Sequence, residues 1–536
     1  LRFELRMGKR AVIFLVISLL IMLVYPFVVE KYLIKGTRKV DGKKEEASIT
    51  SPEPETRVQV LQPATPLSQA IEEKEIIVDT DLMRVKLSNI GGVIKRWELK
   101  KYTLPDGSRI ELLPQGKGGI APLSIYMEDQ QGTRDLDSPF EVSGGDLRLS
   151  RDRKTGSVEF SYQDTVTGKK ITKRLTFDND TYQVGLDIGG VSGAYKIYLG
   201  TNFGMTGHNG TDFAGFVGPI SLVDNSVIKD NLDKMEGEVE HKGDVSWIAL
   251  QEKYFISALI PKGDVKKALI NKEGAKIVSA AMKIEGPGSA GKPDSFILYA
   301  GPKEYDALKA MNVHLDETID FGWFIFGSWV FVRLIAKPLF YILKFLYYFT
   351  NNYGYSIILL TVFLKALFIP LTHKSYKSMK AMQVLQPKIQ ELQKKYKDDK
   401  ERLNKELMGI YKKNKANPLG GCLPMLLQIP FFIALYNILY TTIDLRHAPF
   451  LLWIRDLSDK DPFYVLPIIM GITMVIQQWM QPTQADPMQS KMMMLMPVVF
   501  TFLFLNFPSG LVLYWLTNNV LTIGQQLITS KYFKTA

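Results

Sequence analysis

The 536-residue sequence has one cysteine and five histidines, and these shortages narrow the chemistry that the chain can support. A single cysteine, Cys422, excludes an internal disulfide and a cysteine metal cluster. No two histidines have the spacing of metal ligands or of a catalytic triad. No G-x-G-x-x-G run opens a predicted helix after a strand, and no G-x-x-x-x-G-K run is followed by Ser or Thr, so the sequence has neither a dinucleotide-binding fingerprint in its required context nor a complete Walker A motif. The sequence therefore predicts no catalytic residue, no metal site and no cofactor, and so no enzyme.

Acidic side chains are absent from five apolar runs in the C-terminal part of the chain, and runs of this kind are typical of membrane spans. These candidate spans are residues 354–371, 423–443, 464–480, 494–507 and 510–528. A sixth run, residues 11–29, follows the basic residues Arg6, Lys9 and Arg10. Its length favours a retained signal anchor over a cleaved signal peptide.

Lys365 is the only charged residue in the run 354–371. A cation near the middle of a bilayer costs at least ~2.5–3.5 kcal/mol, and such residues usually face a bundle interior or a wet cavity. Lys365 therefore predicts a polar site within the membrane. Thr361 lies four residues earlier, on the same face of a helix.

Other polar side chains accompany Lys365 in the predicted spans. The last span carries Asn518, Asn519, Thr522, Gln525 and Gln526 in one broad stripe, and the third carries Gln428. For any single amide the simpler interpretation is a hydrogen bond between helices, worth ~0.6 kcal/mol on average in membranes. Lys365 has no acidic partner in these five runs, so it requires water, carbonyl groups or an exogenous partner.

Charge orients the spans. Residues 373–415 carry 13 basic and five acidic residues, a net charge of +8, which predicts a cytoplasmic segment and, with six spans, cytoplasmic N and C termini. Helical periodicity predicts a helical hairpin at 373–416. Four lysines, Lys394, Lys395, Lys412 and Lys413, are candidates for docking anionic partners. A hairpin that is merely solvated is an equally weighted alternative.

The residues between the first apolar run and the five C-terminal runs fall into three predicted segments. Residues 36–75 predict a flexible linker because they are polar and lack hydrophobic periodicity. Residues 76–315 alternate short strand patterns with turn signals, which predicts a large all-β periplasmic sandwich. Residues 320–352 predict an interfacial amphipathic region. With the anchor at 1–35 and a five-span core at 353–531, the chain is expected to be multi-domain, a polytopic α-helical membrane bundle plus the sandwich.

Four motifs carry a resemblance to a known family. They are LQPKIQ at 385–390, NPLGGC at 417–422, DPMQ at 486–489 and FPSGLVLY at 507–514. Together with the order of segments along the whole chain, these motifs resemble the YidC-type membrane protein insertases.

The resemblance implies an insertase and folding chaperone that moves hydrophobic segments of nascent proteins into the inner membrane. It implies a positively charged, hydrophilic groove, with Lys365 where the family usually has arginine. The other groove residues it implies are Thr361, Gln428, Asn506, Tyr514 and Trp515. The polar stripe of the last span adds Asn518 and Asn519 to the candidate groove residues. It also implies a supersandwich like that of sugar mutarotases, and as partners nascent membrane proteins, the ribosome, the Sec translocon and anionic lipids. The alternatives are a small-solute transporter or channel and a membrane-anchored carbohydrate enzyme.

Overall fold

The computed structural model describes residues 73–534, with gaps at 105, 114–118, 130–131, 165–167, 192, 207–215, 275, 287–291, 325–326, 329, 397–398, 415–422 and 481–486. The predicted anchor at 11–29, nearly all of the linker 36–75 and the motif 417–422 lie outside the described residues.

The N-terminal half of the described chain is rich in strands, which form three sheets. The five-stranded sheet contains β1 (Glu75–Asp79), β2 (Met83–Ser88), β3 (Val93–Thr103), β4 (Arg109–Glu111) and β8 (Leu147–Arg148), in the order β4-β3-β2-β1-β8. The six-stranded sheet contains β5 (Ile125–Asp129), β6 (Gly132–Asp135), β12 (Tyr195–Thr201), β15 (Glu238–Lys242), β18 (Lys267–Lys272) and β19 (Val278–Ile284), in the order β15-β18-β19-β12-β5-β6.

The largest sheet has nine strands. It contains β7 (Glu141–Ser143), β9 (Thr155–Gln163), β10 (Lys170–Asp178), β11 (Gln183–Gly189), β13 (Gly218–Val223), β14 (Ser226–Lys229), β16 (Val245–Gln251), β17 (Phe255–Pro261) and β20 (Asp294–Pro302). Its order is β14-β13-β16-β17-β20-β11-β10-β9-β7. Strand β11 shows why these segments are strands, since Val184, Leu186 and Ile188 alternate with half-buried residues and all face the core.

The sheets share one core. Strand β16 of the nine-stranded sheet contacts β19 of the six-stranded sheet, and Trp97, Trp247 and Phe160 are fully buried. Lys173 is also fully buried there, and its Nζ donates to the backbone oxygens of Gly91 at 2.6 Å and Leu123 at 2.7 Å. Burial lowers the pKa of Lys173 to about 7.

Helices make up the C-terminal half. They are α1 (Tyr305–Ala310), α2 (Val330–Thr350), α3 (Tyr353–Lys395), α4 (Lys400–Lys413), α5 (Leu423–Thr441), α6 (Val465–Trp479), α7 (Pro487–Phe504) and α8 (Ser509–Lys534). A short hairpin of β21 (Trp323–Phe324) and β22 (Gly327–Ser328) joins α1 to α2. Helix α3 packs against α2 and α8, and α6 packs against α7 and α8.

One segment among the described residues, Tyr353–His373, is long and apolar enough by itself to cross a membrane. Three shorter apolar helical segments accompany it, Leu427–Thr441, Val465–Trp479 and Met494–Phe504. Helix α8 has 26 residues, but its amide side chains make it less apolar. Helix α2 lies within the predicted interfacial region 320–352 and leaves an apolar face exposed, including Phe331, Leu334, Phe345 and Tyr348.

The predicted hairpin differs from the structure in one respect. Its first helix is not separate from the span, because α3 continues without interruption from Tyr353 to Lys395 through Pro370 and Pro387. Helix α4 then folds back on it, where Leu385 and Ile389 are buried against residues that include Leu407 and Ile410.

Candidate functional site

The candidate site is built where α3 meets α8. Asn352 caps α3, because its side chain accepts hydrogen bonds from the backbone nitrogens of Gly354 at 2.9 Å and Tyr355 at 3.2 Å. Three turns further on, Lys365 turns towards α8. Its Nζ donates to Asn518 Oδ1 at 3.1 Å and to Thr522 Oγ1 at 2.6 Å.

The two acceptors are one helical turn apart and are both neutral. The Thr522 hydroxyl donates its own proton to the backbone oxygen of Asn518 at 2.6 Å, which leaves its lone pairs for Lys365. Among the described residues no carboxylate forms an ion pair with Lys365. A lysine ammonium has three protons, and here two of them point to neutral oxygens, so neither hydrogen-bond acceptor carries a charge that would neutralise it.

A cavity of about 40 Å³ opens beside Lys365. It is lined by Thr361, Leu364, Lys365, Phe368, Leu371, Thr372, Leu427, Gln428, Tyr514 and Asn518. A water molecule needs roughly 10–15 Å³ by this measure. The cavity is therefore large enough for water, and its polar lining supplies hydrogen-bonding partners.

Polar contacts extend from the cavity in both directions along α8. Towards the start of α8, Gln428 Nε2 donates to the Tyr514 hydroxyl at 3.2 Å. Towards its end, Gln525 Nε2 donates to Thr372 Oγ1 at 2.8 Å. Residues on one face of α8 thus meet polar partners on α5 and α3 at successive turns, with the Lys365 contacts between them.

Thr361 lines the cavity, although its hydroxyl donates to the backbone oxygen of Ile357 at 2.6 Å. Its oxygen still has acceptor capacity. Lys365, Thr361, Gln428, Tyr514 and Asn518, all predicted from the sequence, are therefore brought together around one cavity.

Three other predicted groove residues lie elsewhere. Asn519 is buried against α6, where its Nδ2 donates to Thr473 Oγ1 at 3.1 Å. Trp515 packs among aromatic rings, with centroids 5.1 Å from Phe432 and 5.3 Å from Phe504. Asn506 is exposed at the turn between α7 and α8.

Sequence reasoning did not single out Phe368 and Thr372, which also line the cavity. A signal for them was present, since 361, 365, 368 and 372 follow the spacing of one helical face. Thr522 was placed on the polar stripe of the last span but not among the groove residues, and it makes the shortest contact to Lys365.

One end of the helices around the cavity is tied to the loop between α5 and α6. The backbone nitrogen of Ser509 donates to Asp459 O at 2.7 Å, and that of Gly510 donates to Leu457 O at 2.9 Å. Residues Lys460 and Pro508 form an isolated β-bridge. These bonds hold the first turn of α8 against the loop.

The four predicted docking lysines lie at the other end of the helices. Lys394 and Lys395 end α3, Lys412 and Lys413 end α4, and all four side chains are exposed. Within the described residues no cluster of three metal-ligating side chains occurs.

A β-rich domain joined to apolar helices, with a lysine-lined cavity large enough for water among them, is the architecture of an integral membrane protein. Two family models match the chain, the YidC periplasmic domain over residues 75–342 and the 60Kd inner membrane protein over residues 345–536.

Several relatives of the chain are named membrane protein insertase YidC. The membrane protein insertase YidC of Citrifermentans bemidjiense is 42% identical over 475 residues, covering 85% of this chain and 86% of that protein. The membrane protein insertase YidC of Syntrophus aciditrophicus is 41% identical over 555 residues, covering 98% of this chain and all of that protein (100%). A crystal structure of an active YidC insertase, with its first transmembrane domain resolved, aligns at 20% identity and TM-score 0.38, covering 86% of this chain and 93% of that one.

The chain belongs to the YidC family of membrane protein insertases. It is an inner membrane protein whose function is membrane protein insertion and whose substrates are nascent membrane proteins. The insertase predicted from the sequence motifs is thus confirmed, and the family is one of membrane insertases.

Proposed function

We propose that the cavity around Lys365 is part of a positively charged, hydrophilic groove through which hydrophobic segments of nascent proteins enter the membrane. The observation that carries this proposal is the bonding of Lys365 to two neutral oxygens, with no ion pair among the described residues. Its charge therefore remains available to attract a polar or acidic segment of a client.

The groove would act on the part of a client that must cross the membrane. A polar tail loses hydration when it enters the bilayer, and a hydrated cationic cavity part-way across lowers that cost. The adjoining apolar segment then gains ~25 cal/mol per Å² as it moves into lipid. The apolar side of the groove would be formed by Phe368, Leu427 and the rings around Trp515.

The membrane arrangement is part of the same proposal. Six spans, including 11–29, would place the termini and the segment 373–416 in the cytoplasm. Residues 76–315 would form a supersandwich in the periplasm, after the anchor 1–35 and linker 36–75. The interfacial region 320–352 would lead into the core 353–531. Contact between the nine- and six-stranded sheets supports the sandwich, and the apolar helices support the bundle.

The partners beyond nascent chains are also proposed. The exposed lysines Lys394, Lys395, Lys412 and Lys413 form a basic end suited to ribosomal RNA or to anionic lipid headgroups. The protein would insert and fold clients alone or together with the Sec translocon.

Variants of Lys365 test the groove. We expect Lys365→Arg to retain insertion because it keeps the charge. We expect Lys365→Ala and Lys365→Glu to impair clients with acidic translocated tails, because the cavity loses its attraction for them. The measurement is insertion of two matched clients, one with an acidic and one with a neutral tail, into proteoliposomes.

A thermal melt of each variant in detergent separates mechanism from structure. Lys365→Ala should leave the midpoint unchanged or raise it, because a buried charge is removed. Normal insertion of the acidic-tailed client by Lys365→Ala would refute the role of the charge. Unfolding of the same variant would make Lys365 a structural residue.

A further inference from the structure

A tight turn in the loop between α5 and α6 exposes an apolar tip. Ile454 N donates to Leu451 O at 3.1 Å, and Phe450 N donates to Ile454 O at 2.9 Å. The side chain of Leu452 at this tip is 85% exposed, and that of Leu451 is 46% exposed.

The backbone at the tip is unusual for the residue it carries. Leu452 has a φ of 55°, a left-handed conformation that glycine and asparagine adopt far more readily than leucine. Against the described residues, Leu452 gains almost nothing from packing, since it is 85% exposed. Both features are accounted for if the apolar side chain contacts something outside the chain.

The apolar surface continues from the loop onto α6. Phe463 is 65% exposed at the end of the loop. The exposed side chains of α6 follow it at helical spacing, namely Ile468, Ile469, Ile472, Ile476 and Trp479. A row of this kind on an apolar helix is the surface that a membrane span presents to lipid. The turn is thus continuous with a lipid-facing stripe.

Charges next to the tip fit the boundary of a bilayer. Arg455 and Lys460 are exposed, and within the described part of the chain neither side chain forms an ion pair. Trp453 and Tyr464 flank the same segment, and these two residue types favour the headgroup region of membranes. The apolar tip thus suits the lipid tails, and Trp453 and Tyr464 suit the interface. The cations Arg455 and Lys460 suit the lipid phosphate groups.

We propose that the segment 451–464 is an interfacial lipid-binding loop. Leu451, Leu452 and Phe463 enter the hydrocarbon of the adjacent leaflet, while Arg455 and Lys460 contact lipid phosphates. The proposal rests on the membrane placement of α5 and α6 proposed above.

Hydrogen bonds connect the loop to the starts of the two helices that form the candidate site. Through these bonds, a lipid contact of the loop would help to position the site in the membrane. Asn352 Nδ2, at the start of α3, donates to the backbone oxygens of Pro449 at 3.2 Å and Phe450 at 3.4 Å. The other side of the loop holds Ser509 and Gly510 at the start of α8. The loop therefore fixes, relative to the leaflet, the ends of the two helices that carry Lys365 and its acceptors.

Site-specific fluorescence tests the proposal. In a Cys422→Ser background, Leu452→Cys and, separately, Phe463→Cys are labelled with an environment-sensitive dye in lipid nanodiscs, whose two faces are both open to solvent. Quenching is measured with doxyl-labelled lipids and with aqueous iodide. Lys242→Cys, an exposed position on β15, is the aqueous control, and Ile472→Cys, 54% exposed on α6, is the lipid control.

We expect both loop positions to be quenched several-fold more by doxyl lipid than Lys242→Cys and several-fold less by iodide. Iodide quenching equal to that of Lys242→Cys would overturn the proposal, as would protection from both quenchers, which would indicate a protein contact. If Ile472→Cys is quenched by lipid and the loop is not, only the loop proposal fails. If Ile472→Cys also escapes lipid quenching, the membrane placement itself is wrong.

Discussion

Lys365 shows how a buried cation can be stabilised without being neutralised. A carboxylate partner in the same helices would form a salt bridge, and an incoming acidic group would then have to displace a full negative charge. Asn518 and Thr522 instead offer neutral oxygens at 3.1 and 2.6 Å. Hydrogen bonds to a charged group contribute about 1.5–3 kcal/mol each, so the lysine is held in place while its charge stays available.

Thr522→Val tests this arrangement at the level of one hydroxyl. Valine keeps the shape of threonine but cannot accept the hydrogen bond. We expect a coupling free energy of about 1–2 kcal/mol between Thr522→Val and Lys365→Met, since a charged donor makes a stronger hydrogen bond than a neutral one. The measurement is a double-mutant cycle on unfolding in detergent.

Gln525→Leu provides the comparison for that cycle, because Gln525 bonds to the neutral hydroxyl of Thr372. Its coupling with Thr372→Val should be near the ~0.6 kcal/mol typical of hydrogen bonds between membrane helices. Equal coupling in the two cycles would mean that the charge of Lys365 does not strengthen its hydrogen bond to Thr522.

At the scale of the helix, close packing adds to the hydrogen bonds of Asn352 in fixing the start of α3. A Cβ added to Gly354 would lie 2.0 Å from Cδ2 of Phe450. Phe450 is itself held by its backbone bond to Ile454. We therefore expect Gly354→Ala to destabilise the protein by about 1–3 kcal/mol, the usual cost of overpacking, measured as a lower melting midpoint in detergent.

Gly524→Ala in α8 is the matched control. Nothing lies within 4 Å of a Cβ at this position, and alanine favours a helix over glycine by roughly 0.5–1 kcal/mol. This variant should melt at or above the wild-type midpoint. A similar fall in both variants would show that glycine is needed for a reason other than contact with Phe450.

The proposed docking of the ribosome at the end formed by α3 and α4 depends on the positive charge of four lysines. Replacing Lys394, Lys395, Lys412 and Lys413 by Gln should weaken ribosome binding and flatten its dependence on salt. Each lost phosphate contact removes about 0.7–0.9 from the slope of log affinity against log salt. The measurement is ribosome co-sedimentation across a salt series.

The control for the hairpin variant removes the same number of charges from exposed positions on the β-rich domain. These are Lys234, Lys242, Lys262 and Lys266. If the two variants have the same salt dependence, the hairpin lysines are only solvated and the docking proposal fails.

The polar site shows where sequence reasoning succeeds and where it stops. Periodicity placed Thr361 and Lys365 on one face of their span and Asn518 on the polar stripe of the last span, and the structure brings these three residues to one cavity. Asn519 was grouped with Asn518, but adjacent residues are separated by about 100° around a helix. Asn518 therefore faces α3 while Asn519 faces α6, and that division depends on the neighbours of α8.

The ends of helices are also difficult to predict from the sequence alone. The predicted span ends at residue 371 and the predicted hairpin begins at 373, yet α3 continues across both positions and includes Pro370. Proline is tolerated inside membrane helices when neighbouring groups satisfy the freed carbonyl. Packing against α8, which the sequence does not specify, extends alongside this part of α3.

At the scale of the whole molecule, the β-rich domain contacts the helices through several polar groups. Arg446, after α5, donates to Thr103 O of β3 at 2.9 Å. Lys253 Nζ lies 3.5 Å from the centre of the Tyr440 ring. Asp320 accepts hydrogen bonds from Lys229 of β14 at 2.8 Å and Arg333 of α2 at 3.4 Å. These contacts couple the two parts, but they involve none of the residues that line the Lys365 cavity.

Deleting residues 75–300 should therefore lower thermal stability but leave insertion of a small client largely intact. The deletion removes Thr103, Lys253 and Lys229, and with them the three contacts described above between the strands and the C-terminal part of the chain. Asp320 still pairs with Arg333, and Asn437 Nδ2 still donates to Phe321 O at 2.8 Å. The measurements are client insertion in proteoliposomes and a thermal melt in detergent.

The same deletion combined with Lys365→Ala is the control. Because the proposed mechanism depends on the cavity, the combined variant should fail with acidic-tailed clients even though the deletion alone inserts them. Complete loss of insertion by the deletion alone, with the helices still folded, would place an essential step of insertion in the β-rich domain. The Arg446–Thr103 and Lys253–Tyr440 contacts would then be the route by which that domain acts on the helices.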